Sequence, residues 1–313
     1  MVITEELDQV STVGDSIVTI GVFDGVHLGH RHLLQKLIEN ARKSGNSAGV
    51  VTFKNHPATI VNPDFRPNFL TSIDDRIQLL QSSGVDFIAP VTFNKYVAGL
   101  TAVDFIKLLQ EGIGMKGLVV GPDFCMGKNR EANVSSLRTL GREMGFSLQV
   151  VSVQESNGIS VRSTTLRELI SQGDVNMVSL MLGRPFSFSG NIVAGFKRGR
   201  EIGFPTANIE TKDGMVIPKN GIYSTIAHLG NRKFMSATSI GTRPTFDDGE
   251  RVVETFILDF DEDIYGQSLR LEFIEHIRNE IAYATVKELV DQIRQDVDVA
   301  RVSLKPLIDR MGQ

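Results

Sequence analysis

An apolar run, Ile17-Val18-Thr19-Ile20, leads directly into Gly21-Val22-Phe23-Asp24-Gly25-Val26-His27-Leu28-Gly29-His30, and behind it Leu33, Leu34, Leu37, Ile38 and Ala41 recur at helical spacing. This is a strand, a glycine-rich turn and a helix start, the opening unit of an α/β sheet. Exposed amides and the positive end of the helix dipole make such a start an anion site, and glycines let a phosphate chain approach the backbone. His27 and His30 stand at its mouth. Their rings can donate hydrogen bonds to phosphate oxygens, and a protonated ring would offset charge building on a leaving pyrophosphate. The pattern predicts nucleotidyl transfer. A helix cap explains one histidine here, but not two histidines three residues apart, interleaved with glycines and Asp24. A metal site of Asp24, His27, His30 and His32 is the alternative, weakened because His32 leaves the face that presents the other two.

The chain has 33 basic and 37 acidic residues, so its net charge of −4 creates no field favouring nucleic acid, and small-molecule partners are expected. Met1 to Val10 carries Glu5, Glu6 and Asp8 where a leader would be basic and then apolar. No stretch approaches the roughly 18 apolar residues of a membrane span, so a soluble cytoplasmic chain with no membrane partner is expected. The one cysteine, Cys125, excludes an intrachain disulfide and a cysteine zinc cluster, which suits a reducing compartment.

At 313 residues, two domains are expected. In the first half, strand candidates at 17–21, 49–53, 87–91, 118–121 and 148–153 alternate with helical patterns at 30–43, 74–82, 102–110 and 135–144. Ser72 with Asp75 and Thr101 with Asp104 read as capping boxes with Asp in place of Glu. Alternation of this kind predicts a Rossmann-like parallel sheet covered on both faces, with ligands at the C-terminal strand edges. After Gly183 the spacing changes: short β-rich segments follow at 187–194, 223–228, 234–239, 253–260 and 269–273, divided by Gly, Pro, Asn and Asp turns. These predict an antiparallel barrel. A terminal helix closes the chain, with Val286, Leu289, Val290, Ile293 and Val297 as its stripe and Thr285 with Glu288 as its cap. The expected domains are 1–184 and 185–313, divided after two short helices at 164–171 and 175–182.

Three familiar patterns fail on context. Gly112 to Gly117 matches the dinucleotide fingerprint but leads from helix into strand, the reverse of what the fingerprint requires. Gly45-Asn46-Ser47-Ala48-Gly49 spells the hydrolase elbow ahead of a strand instead of behind one. Gly121 to Lys128 has five residues between its glycines where a phosphate loop has four, and Asn129 stands in place of the magnesium-binding Ser or Thr.

The opening motif, read with Phe53-Lys54-Asn55-His56-Pro57, Gly121-Pro122-Asp123-Phe124-Cys125-Met126-Gly127 and Ser163-Thr164-Thr165-Leu166-Arg167, resembles the N-terminal module of the bacterial bifunctional riboflavin kinase/FAD synthetases. The second half resembles the kinase module in Gly195 to Asn208, Gly221-Ile222-Tyr223, Gly241 to Phe246, Glu254 and Asp263-Ile264-Tyr265-Gly266. The Gly-Phe-Pro-Thr-Ala-Asn block at 203–208 is highly specific, whereas His-x-Gly-His is shared by several nucleotidyltransferases. The resemblance implies two activities. The barrel would phosphorylate riboflavin to FMN, and the N-terminal domain would transfer AMP from ATP onto FMN, giving FAD and pyrophosphate, each step with ATP and Mg²⁺. A cytidylyl- or pantetheine-type transferase would need neither the 203–208 block nor Glu254; a flavin-binding regulator, or a paralogue with one activity, is the other alternative.

Residue chemistry suits these steps. FMN phosphate is already an anion, so adenylyl transfer needs positioning and charge stabilisation more than a base. His27 and His30 would hold the ATP phosphates, with Arg167 clamping from the far side and Gly21, Phe23, Asp24, Gly29, Ser163 and Thr164 completing the site. His56 and Asp123 follow strand ends at the same sheet edge, and each also fits an ordinary loop role. The kinase step attacks with a neutral hydroxyl, for which a carboxylate base is useful, and the resemblance assigns that role to Glu254. Thr206 and Asn208 offer neutral oxygens to Mg²⁺, while Lys197, Arg198, Gly199 and Arg200 form a basic loop able to cover ATP. The chain departs from the family pattern at Asn55, where proline is usual, at Met126, where an aromatic is usual, and at Arg162, which replaces a serine.

Overall fold

The computed structural model describes residues 3–10, 14–152, 155–156, 159–195, 198–242 and 251–311. They form two compact units, Met1–Ser163 and Thr164–Gln313. The division falls ahead of the two short helices, which the sequence reading places in the first domain.

The first unit is built on five parallel strands: β1 (Ser16–Gly21), β2 (Ser47–Phe53), β3 (Phe87–Val91), β4 (Met115–Val120) and a later strand, β7 (Ser147–Val150). Their order is β3-β2-β1-β4-β7. From β1 the chain winds outward through β2 and β3, then returns to place β4 on the other side. The order therefore reverses between β1 and β4, where a parallel sheet opens a crevice at its C-terminal edge. Both faces are covered, which is why β1 and β2 are apolar almost throughout. Val18, Ile20, Val51 and Phe53 pack on one face with Phe105, Ile106 and Leu109, and Ile17, Ala48 and Val50 on the other with Leu34, Leu37 and Ala41.

Helices α2 (Leu28–Ser44), α4 (Ile73–Gln81), α6 (Ala102–Ile113) and α7 (Val134–Met144) occupy the expected patterns. Ser72 and Thr101 accept from the amides of Asp75 and Asp104 at 3.1 Å, as their capping boxes require. Gly45 and Gly114 end α2 and α6 and lead into β2 and β4, so both misleading glycine motifs are helix-to-strand connectors. Short elements complete the unit: α1 (Ile3–Asp8), α3 (Ala58–Val61), α5 (Lys95–Gly99), the paired β5 (Cys125–Met126) and β6 (Ala132–Asn133), and the paired β8 (Glu155–Ser156) and β9 (Ile159–Ser160). Helix α1 has too few residues for a periodicity and is held by contacts. Ile3 and Leu7 are buried, and Glu6 accepts from Lys54 Nζ (2.9 Å), Thr92 N (2.8 Å) and Thr92 Oγ1 (2.7 Å).

The second unit begins with α8 (Ser163–Gln172) and α9 (Val175–Leu182), the latter packed on β10 and β15 of the barrel that follows. The barrel comprises β10 (Phe186–Val193), β11 (Thr206–Ile209), β12 (Gly221–Leu229), β13 (Arg232–Thr242), β14 (Arg251–Ile257) and β15 (Ser268–Arg278). It closes in the order β10-β11-β14-β13-β12-β15, every described pair being antiparallel. The one-turn α10 (Arg198–Glu201) joins β10 to β11, and α11 (Val286–Met311) lies against β12, β13 and β15. Five barrel strands match the sequence expectation. The sixth, β11, was not anticipated: it spans four residues inside the Gly-Phe-Pro-Thr-Ala-Asn block, too few for an alternation to register. No helix among the described residues is long and apolar enough to cross a membrane.

Candidate active sites

The loop after β1 is held in a shape few sequences adopt. Phe23 and Val26 have φ of 54° and 39°, and Gly25 between them has φ of 81°. Left-handed backbone at two non-glycine residues is strained, and such strain persists only where surroundings enforce it. The Asp24 carboxylate supplies much of that enforcement: it is 3% exposed and accepts from the amides of Leu70 (2.9 and 3.0 Å) and Thr71 (3.1 Å). Ser163 Oγ donates to Asp24 O at 3.0 Å. The structure thus places Asp24 as a brace beneath the turn, and Ser163, the last residue of the same unit, as a second support.

His27 is the N-cap of α2, its Nδ1 accepting from the amide of His30 at 3.2 Å. With Nδ1 an acceptor, the proton of a neutral ring sits on Nε2. The His27 and His30 rings stack at 3.6 Å and 16°. Burial, then the neighbouring His27 ring and the Arg76 guanidinium, push the His30 pKa well below its ordinary value of 6.5. His30 is therefore neutral at physiological pH. Of the two roles the sequence reading gives these rings, hydrogen-bond donation and a protonated charge, only the first suits His30.

Two cavities open at this sheet edge. The smaller, about 290 Å³, is lined by His27, Gly29, His30, Asp123, Arg162 and Ser163, among others. The larger, about 810 Å³, has apolar walls including Ile20, Phe53, Phe93, Leu100, Phe105 and Phe124, with Gly21, His56, Asp123 and Arg130 at its polar points. Asp123 lines both. His56 faces the larger one: its Nδ1 accepts from Ala58 N at 3.1 Å and its ring stacks on Phe65 at 4.7 Å. Phe23 meets the His30 ring edge-on at 5.1 Å. Thr164 and Arg167 lie on α8 within the second unit.

The three departures from the family pattern have visible partners. Asn55 exchanges two hydrogen bonds with the backbone of Phe93, at 2.8 and 2.9 Å, joining the ends of β2 and β3. Met126 is buried in the core beside the larger cavity. Arg162 lies 3.6 Å from Asp123, both well exposed.

In the second unit, β11 and β14 pair so that Asn208 faces Glu254 and Thr206 faces Phe256. All four side chains share one face of the sheet. Glu254 and Thr206 line a cavity of about 350 Å³ closed by α11, whose Leu289, Ile293 and Val297 form part of its wall. Much of the predicted α11 stripe thus covers a cavity. The polar atoms of that wall include an ion pair, Arg278 to Asp296, at 2.6 and 2.8 Å. A second pocket, about 80 Å³, is lined by Gly199, Arg200, Thr206, Thr255 and the 260–265 segment, so Thr206 and Gly199 border both. Asn208 is 7% exposed and leaves no room at Gly195, where a Cβ would collide with its amide. Arg198 begins α10; Lys197 lies outside the described residues.

Sequence reasoning missed Arg76. This α4 side chain is 1% exposed, and its Nη1 donates to Val22 O (2.9 Å) and Phe53 O (2.8 Å). The signal was present as a cation at a core position of the α4 stripe, between Ile73 and Leu80.

A family model described as FAD synthetase matches residues 10–165, and one described as riboflavin kinase matches residues 182–304. The bifunctional riboflavin kinase/FMN adenylyltransferase of Escherichia coli K12 is 36% identical over 91% of this chain and 91% of its own. The proteins of that name from Buchnera aphidicola (Schizaphis graminum) and Bacillus subtilis are 32% and 30% identical, covering 92% and 90% of this chain and 93% and 90% of theirs. The chain belongs to the bifunctional riboflavin kinase/FMN adenylyltransferase family. A solved structure named as a macrolide-efflux protein from Streptococcus pneumoniae is 30% identical, with a TM-score of 0.86 over 94% of this chain and 96% of that one. The family's two models meet the chain where its chemistry divides: the histidine turn falls in the first match and Glu254 in the second.

Proposed function

We propose that this chain makes FAD in two ATP-dependent steps, the second unit phosphorylating riboflavin to FMN and the first joining FMN to the AMP of ATP. The observation that carries the adenylyl-transfer step is the pair of cavities sharing Asp123, one large and apolar, the other bearing the histidine pair. The large cavity suits a flavin ring system; the small one suits a nucleotide's phosphates on the amides of the α2 N-terminus.

In adenylyl transfer an oxygen of the FMN phosphate attacks the ATP α-phosphorus, and the bond from that phosphorus to pyrophosphate breaks. The nucleophile is an anion, so no base is needed. His27 Nε2 and the neutral His30 donate to phosphate oxygens and strengthen as charge moves onto pyrophosphate. Arg162 adds a cation at the cleft, exchanging Asp123 for phosphate. Gly21, Phe23 and Gly29 shape the turn, Asp24 and Ser163 hold it, and the family resemblance adds Thr164 and Arg167 as nucleotide-binding residues.

In the kinase step the 5′-hydroxyl of riboflavin attacks the ATP γ-phosphorus, ADP leaves, and Glu254 accepts the hydroxyl proton. The flavin lies in the cavity between barrel and α11, where Phe204 and Phe256 offer aromatic walls, and the nucleotide in the pocket of Gly199 and Arg200. The sequence reading adds Lys197 and Arg198 as further basic residues for ATP. Thr206 and Asn208, two apart on β11 and opposite Glu254, present neutral oxygens, the donor type for a Mg²⁺ that takes most of its ligands from phosphates and water. When bound, the ion neutralises phosphate charge. The single cysteine and phosphorylated substrates fit the cytoplasmic location expected from sequence.

The test is direct: pure protein with riboflavin, ATP and Mg²⁺, followed by chromatography. FMN and then FAD should accumulate. FMN alone would limit the chain to its kinase, and neither product would leave a flavin-binding protein without turnover.

A further inference from the structure

Arg76 heads the fully buried side chains by volume, and it is charged. Among the described residues it forms no ion pair, its Nε has no hydrogen-bond partner, and its guanidinium lies 5.2 Å from the Phe69 ring centroid. Burying a cation this way is costly, and an apolar side chain of similar size would fill the same space. What the arginine adds is where its Nη1 points. Nη1 donates at once to Val22 O and Phe53 O. Val22 opens the histidine turn and Phe53 ends β2, and both line the large cavity. Thr52 Oγ1 donates to the same Val22 carbonyl at 3.1 Å, so this junction is pinned from two sides.

We propose that Arg76 is a positioning residue for adenylyl transfer, tying the floor of the flavin cavity to the histidine turn and setting positive charge beneath the bound phosphates. This rests on reading the first unit as an FMN adenylyltransferase. Two anions must meet with their reacting atoms about 3 to 3.5 Å apart, and small misplacements there are costly in rate. A fixed internal cation acts through low-dielectric protein and does not reorganise during the reaction. Its field already reaches the site, since it helps hold His30 neutral. Asp24, held by the 70–71 amides, is the opposite charge that acts on Arg76.

The experiment uses the full chain with Arg76→Met, Arg76→Gln and Arg76→Lys. FAD formation from FMN and ATP is resolved into kcat and KM, with riboflavin phosphorylation and thermal melting as controls. In the Met and Gln proteins kcat for FAD should fall about 10²-fold, with KM for ATP and FMN changed less than about 3-fold. Lys, which keeps the charge and one donor, should recover at least about tenfold of the loss. Riboflavin phosphorylation should be unaffected in all three. Wild-type kcat in Arg76→Met, a loss confined to KM, or a folded Arg76→Lys no better than Arg76→Gln would each overturn the inference. If Arg76→Met is insoluble, the Lys and Gln proteins decide alone. Absence of FAD formation by the wild-type chain would instead overturn the reading on which the inference rests.

Discussion

His27 performs two tasks that substitution can separate. Its Nδ1 caps α2 through the His30 amide, and the residue lines the small cavity, where the proposal makes its Nε2 a phosphate donor. His27→Ala removes both. Losing an N-cap costs about 1 kcal/mol, and emptying a site only 5% exposed adds to that. For a unit of this size each 1 kcal/mol lowers the melting point by roughly 2 to 4 °C. His27→Asn keeps an oxygen where the cap needs an acceptor, since Asn is among the best N-cap residues, but removes the imidazole donor. Melting should therefore fall in the Ala protein and recover most of the way in the Asn protein. FAD formation from FMN and ATP should drop about 10² to 10³-fold in both, because each loses a hydrogen bond that strengthens in the transition state. Riboflavin phosphorylation by the same preparations serves as the control and should be unchanged. If His27→Asn regains FAD formation along with its melting point, His27 is only a cap and the donor role is refuted.

Glu254→Gln keeps the size and hydrogen bonding of the side chain but not its basic oxygen, so FMN formation should fall about 10² to 10⁴-fold while supplied FMN still becomes FAD at the wild-type rate. Near-normal FMN production by the folded variant removes Glu254 as the base. His30 has a folded pKa well below its unfolded value of 6.5, so acid favours the unfolded state: its contribution to stability is complete above about pH 6.5 and is lost as pH falls through the folded pKa. Urea midpoints of the first unit should decline between pH 7.5 and 5.5, and His30→Gln should flatten that decline; a parallel decline in the variant assigns it to other groups. A fragment of residues 164–313 should fold and make FMN, whereas 185–313 should not: it lacks Val175, Val178, Met181 and Leu182, each at most 1% exposed. At roughly 1.5 to 3 kcal/mol apiece their loss approaches the whole stability of a domain, and a cooperative melt by 185–313 would refute this. Arg162→Ser should leave melting unchanged, because its exposed pair with Asp123 is worth about 0 to 1 kcal/mol, yet raise the KM for ATP, most visibly at low salt.

What the sequence made legible was whatever repeats or punctuates. The β1 strand, its glycine turn and the α2 stripe form a local unit, and the structure keeps them as read. The strained φ values of Phe23 and Val26 carry no such mark, because they are imposed by Asp24 reaching residues 70 and 71, more than forty positions away. Strand β11 was hidden for another reason: its Thr206 and Asn208 are recognisable by their chemistry, so the block announces a site before it announces a strand. Helices α8 and α9 were found with nearly correct ends; the sequence reading gave them to the first domain, and their contacts group them, from Thr164 on, with the second unit. Which core an amphipathic helix joins depends on the partner surface, and periodicity is silent on that. His30 shows the same limit in electrostatics, since its neutrality comes from burial, the His27 ring and Arg76, and the last of these is supplied by a different helix.

The two sites differ as their nucleophiles do. A phosphate anion must be brought against another phosphate, and around the turn of the first unit stand backbone amides, the His27 and His30 rings and buried Arg76, while the Asp24 carboxylate accepts from backbone amides. A hydroxyl must lose a proton, and the proposed base, Glu254, stands on β14 between Asn208 and Ser239 of its neighbours. The departures at Asn55, Met126 and Arg162 all fall in the first unit, where they bear on FAD formation. None removes a donor from the small cavity. Asn55 replaces a proline's rigidity with two hydrogen bonds across the ends of β2 and β3, Met126 keeps an apolar wall beside the flavin cavity, and Arg162 adds charge where serine would add a hydroxyl. None of the three takes away a side chain that the proposal gives to the phosphates, so the proposal keeps the FAD-forming step along with the kinase.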